Sequence, residues 1–361
     1  MRNSALVVLL LIVICGSPAT ASRSVKRIKT EPLTLQGQQV IPPRLTEEER
    51  ALIAEAYHLW KTLGEKLWPG WTDIQAPLLY ITKDYEYAIG FPPNISGFQP
   101  FDQSISPDKT ILVRKRVFPP GLAASFPLEG VPVIAIGAPT ALEKSSGEWV
   151  LTAIHEMFHV LQFVRGEPQK VAELKLGSES DPSWQLNFPF PYQDADVMRL
   201  IHLQSYPIYL AATATKETDV KYNAGTAMEA IEVYKSLLKR QGADDQFYKY
   251  SQFQEWKEGV AFYTEYKMAE AAADAGYQST EAFRRVRDFK TYQQLWDGNY
   301  KNRIFLAKHA GRAARSREAF YHLGLGKGLL LDRLAPDWKN RYFALKVWLD
   351  DLLITALDQP K

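Results

Sequence analysis

Ser145-Ser146-Gly147-Glu148-Trp149-Val150-Leu151-Thr152-Ala153-Ile154-His155-Glu156-Met157-Phe158-His159-Val160-Leu161-Gln162-Phe163-Val164 reads as one capped, largely buried helix. Ser145 followed three residues later by Glu148 is a capping box, which satisfies amides that the first turn leaves orphaned. Apolar residues then dominate, and Ile154, Met157, Phe158, Leu161 and Val164 supply packing around a single polar stripe. Gly166 and Pro168 are read as the stop.

The polar stripe is His155-Glu156-Met157-Phe158-His159. Residues i and i+4 lie about 40° apart around a helix axis, so both imidazoles project from one face toward one ion. Glu156 stands one residue past the first imidazole. Its carboxylate is expected beside the metal and within reach of a water, free to act as a general base instead of a ligand. The expected ion is Zn2+. A helix with two solvated histidines is the competing reading, and the apolar setting on both sides argues against it.

Catalytic zinc takes three protein ligands and keeps one position for water. His58, His202, His309 and His322 are available, but none stands in a local motif, and residues 160–170 hold no histidine. The better third ligand is Glu258, in Glu258-Gly259-Val260-Ala261-Phe262-Tyr263-Thr264-Glu265. Ser251 with Gln254 reads as a second capping box, which would put Glu258 inside a helix about two turns from its start. Ala261 would let that helix approach the histidine helix, while Gly259 relieves crowding at about 1 kcal/mol against alanine. Glu265, seven residues on and nearly on the same face, is a candidate to hydrogen-bond a ligand imidazole from behind; the plainer reading is a solvated glutamate.

At these two segments the chain resembles the gluzincins, the thermolysin-like superfamily of zinc metallopeptidases. They combine H-E-x-x-H on one helix with a glutamate from a later helix, often inside E-x-x-A. The resemblance implies His155 and His159 as metal ligands, Glu156 as catalytic base, Glu258 as third ligand, and a peptide or protein as substrate. It covers about a dozen residues. The 98 residues between the segments depart from thermolysin's much shorter spacing. Candidates to stabilise an oxyanion are Tyr263, Tyr321 and His322, with ordinary packing as the plainer reading for Tyr321 and His322; Tyr263 is turned roughly 140° from Glu258 on an ideal helix. By the same resemblance, Val131–Gly137 could hold an extended substrate as an edge strand, Pro132 being tolerated there; a plain core strand is the other reading. Two further functions fit the same residues: a catalytically silent binding or structural protein, and a zinc hydrolase of non-peptide amides or esters.

Met1, Arg2 and Asn3 precede an apolar run over residues 5–15 and then Ala19-Thr20-Ala21, the pattern of a secretory signal peptide with cleavage expected after Ala21. Secreted or periplasmic localisation follows. Ile14 before Cys15 disfavours a lipidation signal, which wants a small residue there. Cys15 is the single cysteine, so the mature chain has neither disulfides nor thiolate chemistry, which leans toward bacterial export. Asn94-Ile95-Ser96 is a glycosylation sequon, meaningful only in a eukaryotic source. A net charge of +2, with acids and bases interspersed, makes no case for nucleic acid or an anionic membrane as partner. No other apolar stretch is long enough to span a membrane, and oligomeric state has no signature.

The chain divides into a signal peptide over 1–21, a flexible basic leader over 22–45, an N-terminal sheet-and-helix subdomain over 46–170, and a helical subdomain over 171–361. Thr46 with Glu49 caps a first helix. Strands are expected at 78–82, 85–89, 111–116 and 131–136, and residues 167–190 as a loop. Helical patterns cover 194–213, 225–240, 252–274, 280–297, 316–334 and 339–356. Gly324-Leu325-Gly326-Lys327-Gly328 lacks the strand and spacing of a phosphate loop and reads as a flexible break or close helix packing. The expected fold is α+β, a small sheet and the histidine helix packed on a mainly helical C-terminal part.

Overall fold

A computed structural model describes residues 42–358 except 106–109, 178–182, 243–244, 275 and 313–315. The signal peptide, its cleavage site after Ala21 and the leader up to residue 41 lie outside the described residues. The first helix, α1 (Glu47–Leu67), starts at the expected capping box: the Glu49 amide donates to Thr46 Oγ1 at 3.1 Å and the Thr46 amide to Glu49 Oε2 at 2.8 Å. Its apolar face, including Ile53, Ala56, Leu59 and Trp60, faces the core.

One mixed six-stranded sheet follows: β1 (Leu78–Ile81), β2 (Tyr85–Ile89), β3 (Gln99–Ser104), β4 (Thr110–Lys115), β5 (Ala123–Leu128) and β6 (Val131–Gly137). Their order is β3-β4-β2-β1-β6-β5, and only the β1–β6 pair is parallel. Strand alternation splits the apolar residues between two faces. Tyr80, Tyr87, Ile134 and Ile136 join the main core with the helices, while Leu79, Ile81, Val133 and Ala135 build a smaller core with Phe91, Phe118 and Phe126. Two strands escape pattern reading. β3 is a mostly exposed edge bearing Asp102 and Gln103, and β5 carries Ala124, Ser125 and Pro127, side chains with little strand preference. Because β5 covers it, β6 is an interior strand rather than a substrate-holding edge; Pro132 sits opposite Pro127, so neither has an amide hydrogen to leave unpaired.

The histidine helix, α2 (Ser146–Val164), has its capping box, with the Ser145 amide donating to Glu148 Oε2 at 3.0 Å. Trp149 Nε1 donates to the Gly137 carbonyl at 2.7 Å and fixes the helix start against the end of β6. Gly166 does end the helix, at φ 113°, but Pro168 opens another instead of closing one. It lies in the first turn of α3 (Glu167–Leu174), where a missing amide hydrogen costs nothing. Residues 167–190 therefore contain α3 and the short α4 (Trp184–Asn187), not a plain loop.

The remainder is helical: α5 (Ala195–Thr213), α6 (Glu217–Gln241), α7 (Gln246–Gln254), a π-helical turn (Glu255–Gly259), α8 (Val260–Ala273), α9 (Tyr292–Leu295), α10 (Ile304–Lys308), α11 (Glu318–Leu334), α12 (Lys339–Tyr342) and α13 (Leu349–Asp358). Two expected helices are broken. Within 280–297, a single 3-10 turn and α9 flank a stretch whose backbone and side chains bond elsewhere: the Arg287 amide donates to Glu48, and Asp288 accepts from the Ser146 amide at 2.8 Å. Within 339–356, the buried Lys170 ammonium donates to the carbonyls of Leu345 and Val347, at 3.1 and 2.8 Å, between α12 and α13. One continuous apolar core runs from Leu45 to Leu353 and joins the sheet's inner face to the helices. No helix among the described residues is long and apolar enough to cross a membrane.

Candidate metal centre

His155 and His159 lie on the buried face of α2, with their rings 4.9 Å apart at 79°. Both Nε2 atoms converge on Glu258 Oε2, at 3.7 Å from His155 and 3.4 Å from His159. The three side chains are buried, and one potential ligand atom from each lies within 4.8 Å of the others, a group that could hold a metal ion. The sequence-predicted residues thus meet in space. Glu258 arrives there differently than expected. Ser251 is no cap: it lies inside α7 and its hydroxyl donates to the Tyr248 carbonyl at 2.8 Å. Glu258 itself occupies the π turn ahead of α8. Such a turn inserts an extra residue and re-aims the side chains that follow.

Two contacts hold that turn. The first is Gly259 against Gly324 of α11, where a Cβ on Gly259 would meet the Gly324 Cα at 2.6 Å and the Phe320 carbonyl oxygen at 2.7 Å. The glycine-rich run of α11 is thereby close helix packing, not a break. The second is a fully buried charge cluster: Lys327 donates to Glu255 Oε2 at 2.6 Å and to Asp350 Oδ1 at 2.5 Å, tying the π turn to α11 and α13.

The back of each imidazole is also held. Glu265 Oε2 lies 3.4 Å from His155 Nδ1, within ion-pair reach though not aligned as a hydrogen bond. Glu265 is buried, not solvated, and accepts from Tyr300 at 3.0 Å and from Arg303 at 2.7 Å. His159 Nδ1 meets Gln162 Oε1 at 2.6 Å, and the amide nitrogen of Gln162 donates to the carbonyls of Trp256 and Lys257, both at 3.0 Å. Gln162 therefore joins the histidine helix to the π turn. Sequence reasoning passed over it, although an amide inside an apolar run, one turn after a candidate ligand, is a usable signal.

Burial would lower the His155 pKa, but the adjacent carboxylates of Glu258, Glu265 and Glu156 override it and raise the value to about 10. Burial would likewise push Glu258 up, yet His159, His155 and Arg317 hold its carboxyl well below the usual range. Glu156 is different. Burial is the largest influence on it and raises its pKa against the opposing charges of His159 and His155. It is 3% exposed, and its Oε2 has no hydrogen-bond partner. Arg303 offsets Glu265, whereas Glu156 and Glu258 make no ion pair with a lysine or arginine among the described residues. Two imidazoles converging with two carboxylates that lack a lysine or arginine partner form a donor set that suits a divalent cation.

Tyr321 of α11 lies across the centre, its ring nearly parallel to His155 at 6.4 Å and 13°. Its hydroxyl is beside Glu258 without an aligned hydrogen bond. Tyr263 faces away, donating to Asp332 at 2.7 and 2.8 Å. His322 packs on Phe262 at 6.0 Å, and burial lowers its pKa to about 4. His58, exposed on α1, meets the Gln278 carbonyl at 3.0 Å instead. Comparisons with models of known protein families, with curated proteins and with solved structures return no match.

Proposed function

We propose that this chain is an exported zinc-dependent peptidase of gluzincin type, with His155, His159 and Glu258 as ligands and Glu156 as general base. The observation that carries the reading is Glu156: a buried carboxylate with an unpartnered oxygen, adjacent in sequence to one of three converging ligands. Such a group is costly unless it has work to do. Zinc, when bound, supplies Lewis-acid polarisation and acidifies a water toward a pKa of roughly 7.

The chain's own residues do the rest. Glu265 and Gln162 take the Nδ1 sides of His155 and His159, which leaves both Nε2 lone pairs directed at the centre. Glu156 takes a proton from the attacking water and returns it to the leaving amine, and a carboxyl pushed upward by burial is better matched to that exchange than an ordinary one. Tyr263 is committed to Asp332, so it is not the oxyanion's donor.

Metal analysis and peptide-library cleavage by wild type and Glu156→Gln test this. Wild type is expected to hold about one zinc per chain and cleave, while the variant keeps zinc and loses at least about 100-fold in kcat/KM. Zinc retained without hydrolysis of any peptide favours the binding-protein reading, and cleavage confined to simple esters or non-peptide amides favours the broader hydrolase. A zinc content near zero removes the metal centre.

A further inference from the structure

Beyond the ligands stands a cation without a salt-bridge partner among the described residues. Arg317 precedes α11, and its Nη1 is buried without a hydrogen-bond partner; it makes no ion pair among the described residues. A guanidinium keeps its charge at any accessible pH, so this one cannot escape by deprotonation as a lysine could. One more buried donor beside it is unpartnered, the hydroxyl of Tyr321, whose ring lies 5.6 Å from the guanidinium.

An unpartnered guanidinium nitrogen with an unpartnered hydroxyl beside it matches an oxyanion with two acceptor atoms, such as a carboxylate. Glu258 is the nearest acid, but as a ligand its charge is directed to the metal. We propose that Arg317, with Tyr321, receives a carboxylate of the substrate, so that the enzyme selects peptides bearing a negative charge close to the scissile bond. This rests on the peptidase reading. The distance is bounded by two steps: His155 to the Tyr321 ring is 6.4 Å, and that ring to the guanidinium is 5.6 Å. At roughly 3.5 Å per extended residue, the carboxylate lies within about three residues of the reacting carbonyl. A C-terminal carboxylate and an Asp or Glu side chain in that window share the chemistry.

Three peptides of one sequence separate these sources: a free acid, its C-terminal amide, and the amide with glutamate placed two residues beyond the scissile bond. Wild type is expected to favour at least one acidic form over the neutral amide by about 10- to 100-fold in kcat/KM, mostly through KM. The free acid alone being favoured assigns C-terminal trimming; the internal glutamate alone assigns side-chain recognition. Arg317→Gln should erase the preference while zinc content stays at one per chain, and Arg317→Lys should restore part of it. Equal rates on all three peptides, or a preference that survives Arg317→Gln, overturns the proposal. Should no peptide be cleaved, calorimetric titration with the same peptides decides the carboxylate site separately. Tighter binding of an acidic form that Arg317→Gln abolishes keeps this site while the peptidase reading fails; equal affinities remove both.

Discussion

Substituting alanine for Gly259 sets two effects of opposite sign against each other. In an exposed helix the change stabilises by about 1 kcal/mol, through chain entropy alone. Here the new Cβ would meet the Gly324 Cα at 2.6 Å, the Phe320 carbonyl oxygen at 2.7 Å and the Gly324 amide nitrogen at 3.1 Å. All three are backbone atoms, so no side chain can rotate aside. To reach ordinary contact at 3.4 Å, the π turn and α11 must separate by roughly 0.8 Å. Overpacking of this kind costs about 3 kcal/mol, which leaves a net loss of about 2 kcal/mol. The same displacement shifts Glu258, the preceding residue, relative to the histidines, and metal–ligand distances tolerate only about 0.2 Å. Urea unfolding of the metal-free protein should show the loss, and competitive zinc titration should show affinity weakened by at least about 10-fold. Gly324→Ala, whose Cβ would meet the Gly259 Cα at 2.5 Å, strains the same contact, so the double variant should cost less than the sum of the singles. A Gly259→Ala protein as stable as wild type, with unchanged zinc affinity, would refute the close approach as the device that positions Glu258.

Glu265→Gln retains shape but loses the charge behind His155, and zinc affinity should fall 10- to 100-fold by competitive titration; no change would mean that packing alone orients the ring. Lys327→Met leaves Glu255 and Asp350 buried without their cation, so urea unfolding should register a loss of about 3–5 kcal/mol, and a loss below about 1 kcal/mol would contradict the assigned pairing. Burial lowers the Lys170 amine from 10.5 to about 8, against the opposing charge of Asp351. The folded state therefore releases this proton first while the unfolded chain still holds its own, and this group's contribution to wild-type stability rises between pH 8 and 10.5. Lys170→Met lacks that rise, so the wild-type-minus-variant difference should climb across the window; a flat or falling difference excludes it.

Local grammar was legible and tertiary consequence was not. The capping boxes at Thr46 and Ser145 placed both helix starts, because a cap is a contract between residues three apart. Ser251 and Gln254 satisfy the same pattern without being a cap, since their side chains have better partners in Tyr248 and Gln185. Glu258 was found by its neighbours and nonetheless misplaced, for nothing local announces a π turn that Gly324 and Lys327 hold from about 65 to 70 residues away. Glu265 was legible as a helix-face neighbour. Gln162 carried a readable signal that was missed. Arg317 carried none, because an arginine becomes unusual only when its surroundings leave it unpaired.

The Lys327–Glu255–Asp350 cluster also imposes an order in time. During synthesis, His155 and His159 leave the ribosome nearly 200 residues before Asp350. Until Lys327 and Asp350 have followed, Glu255 has no buried cation and the turn bearing Glu258 lacks this anchor. On the proposed metal-site reading, a nascent chain displays two of the three ligands long before the third is fixed, and tight metal capture waits until Asp350 has emerged. Loading would in this way follow the closing of the cluster and be kept from shorter, half-made forms.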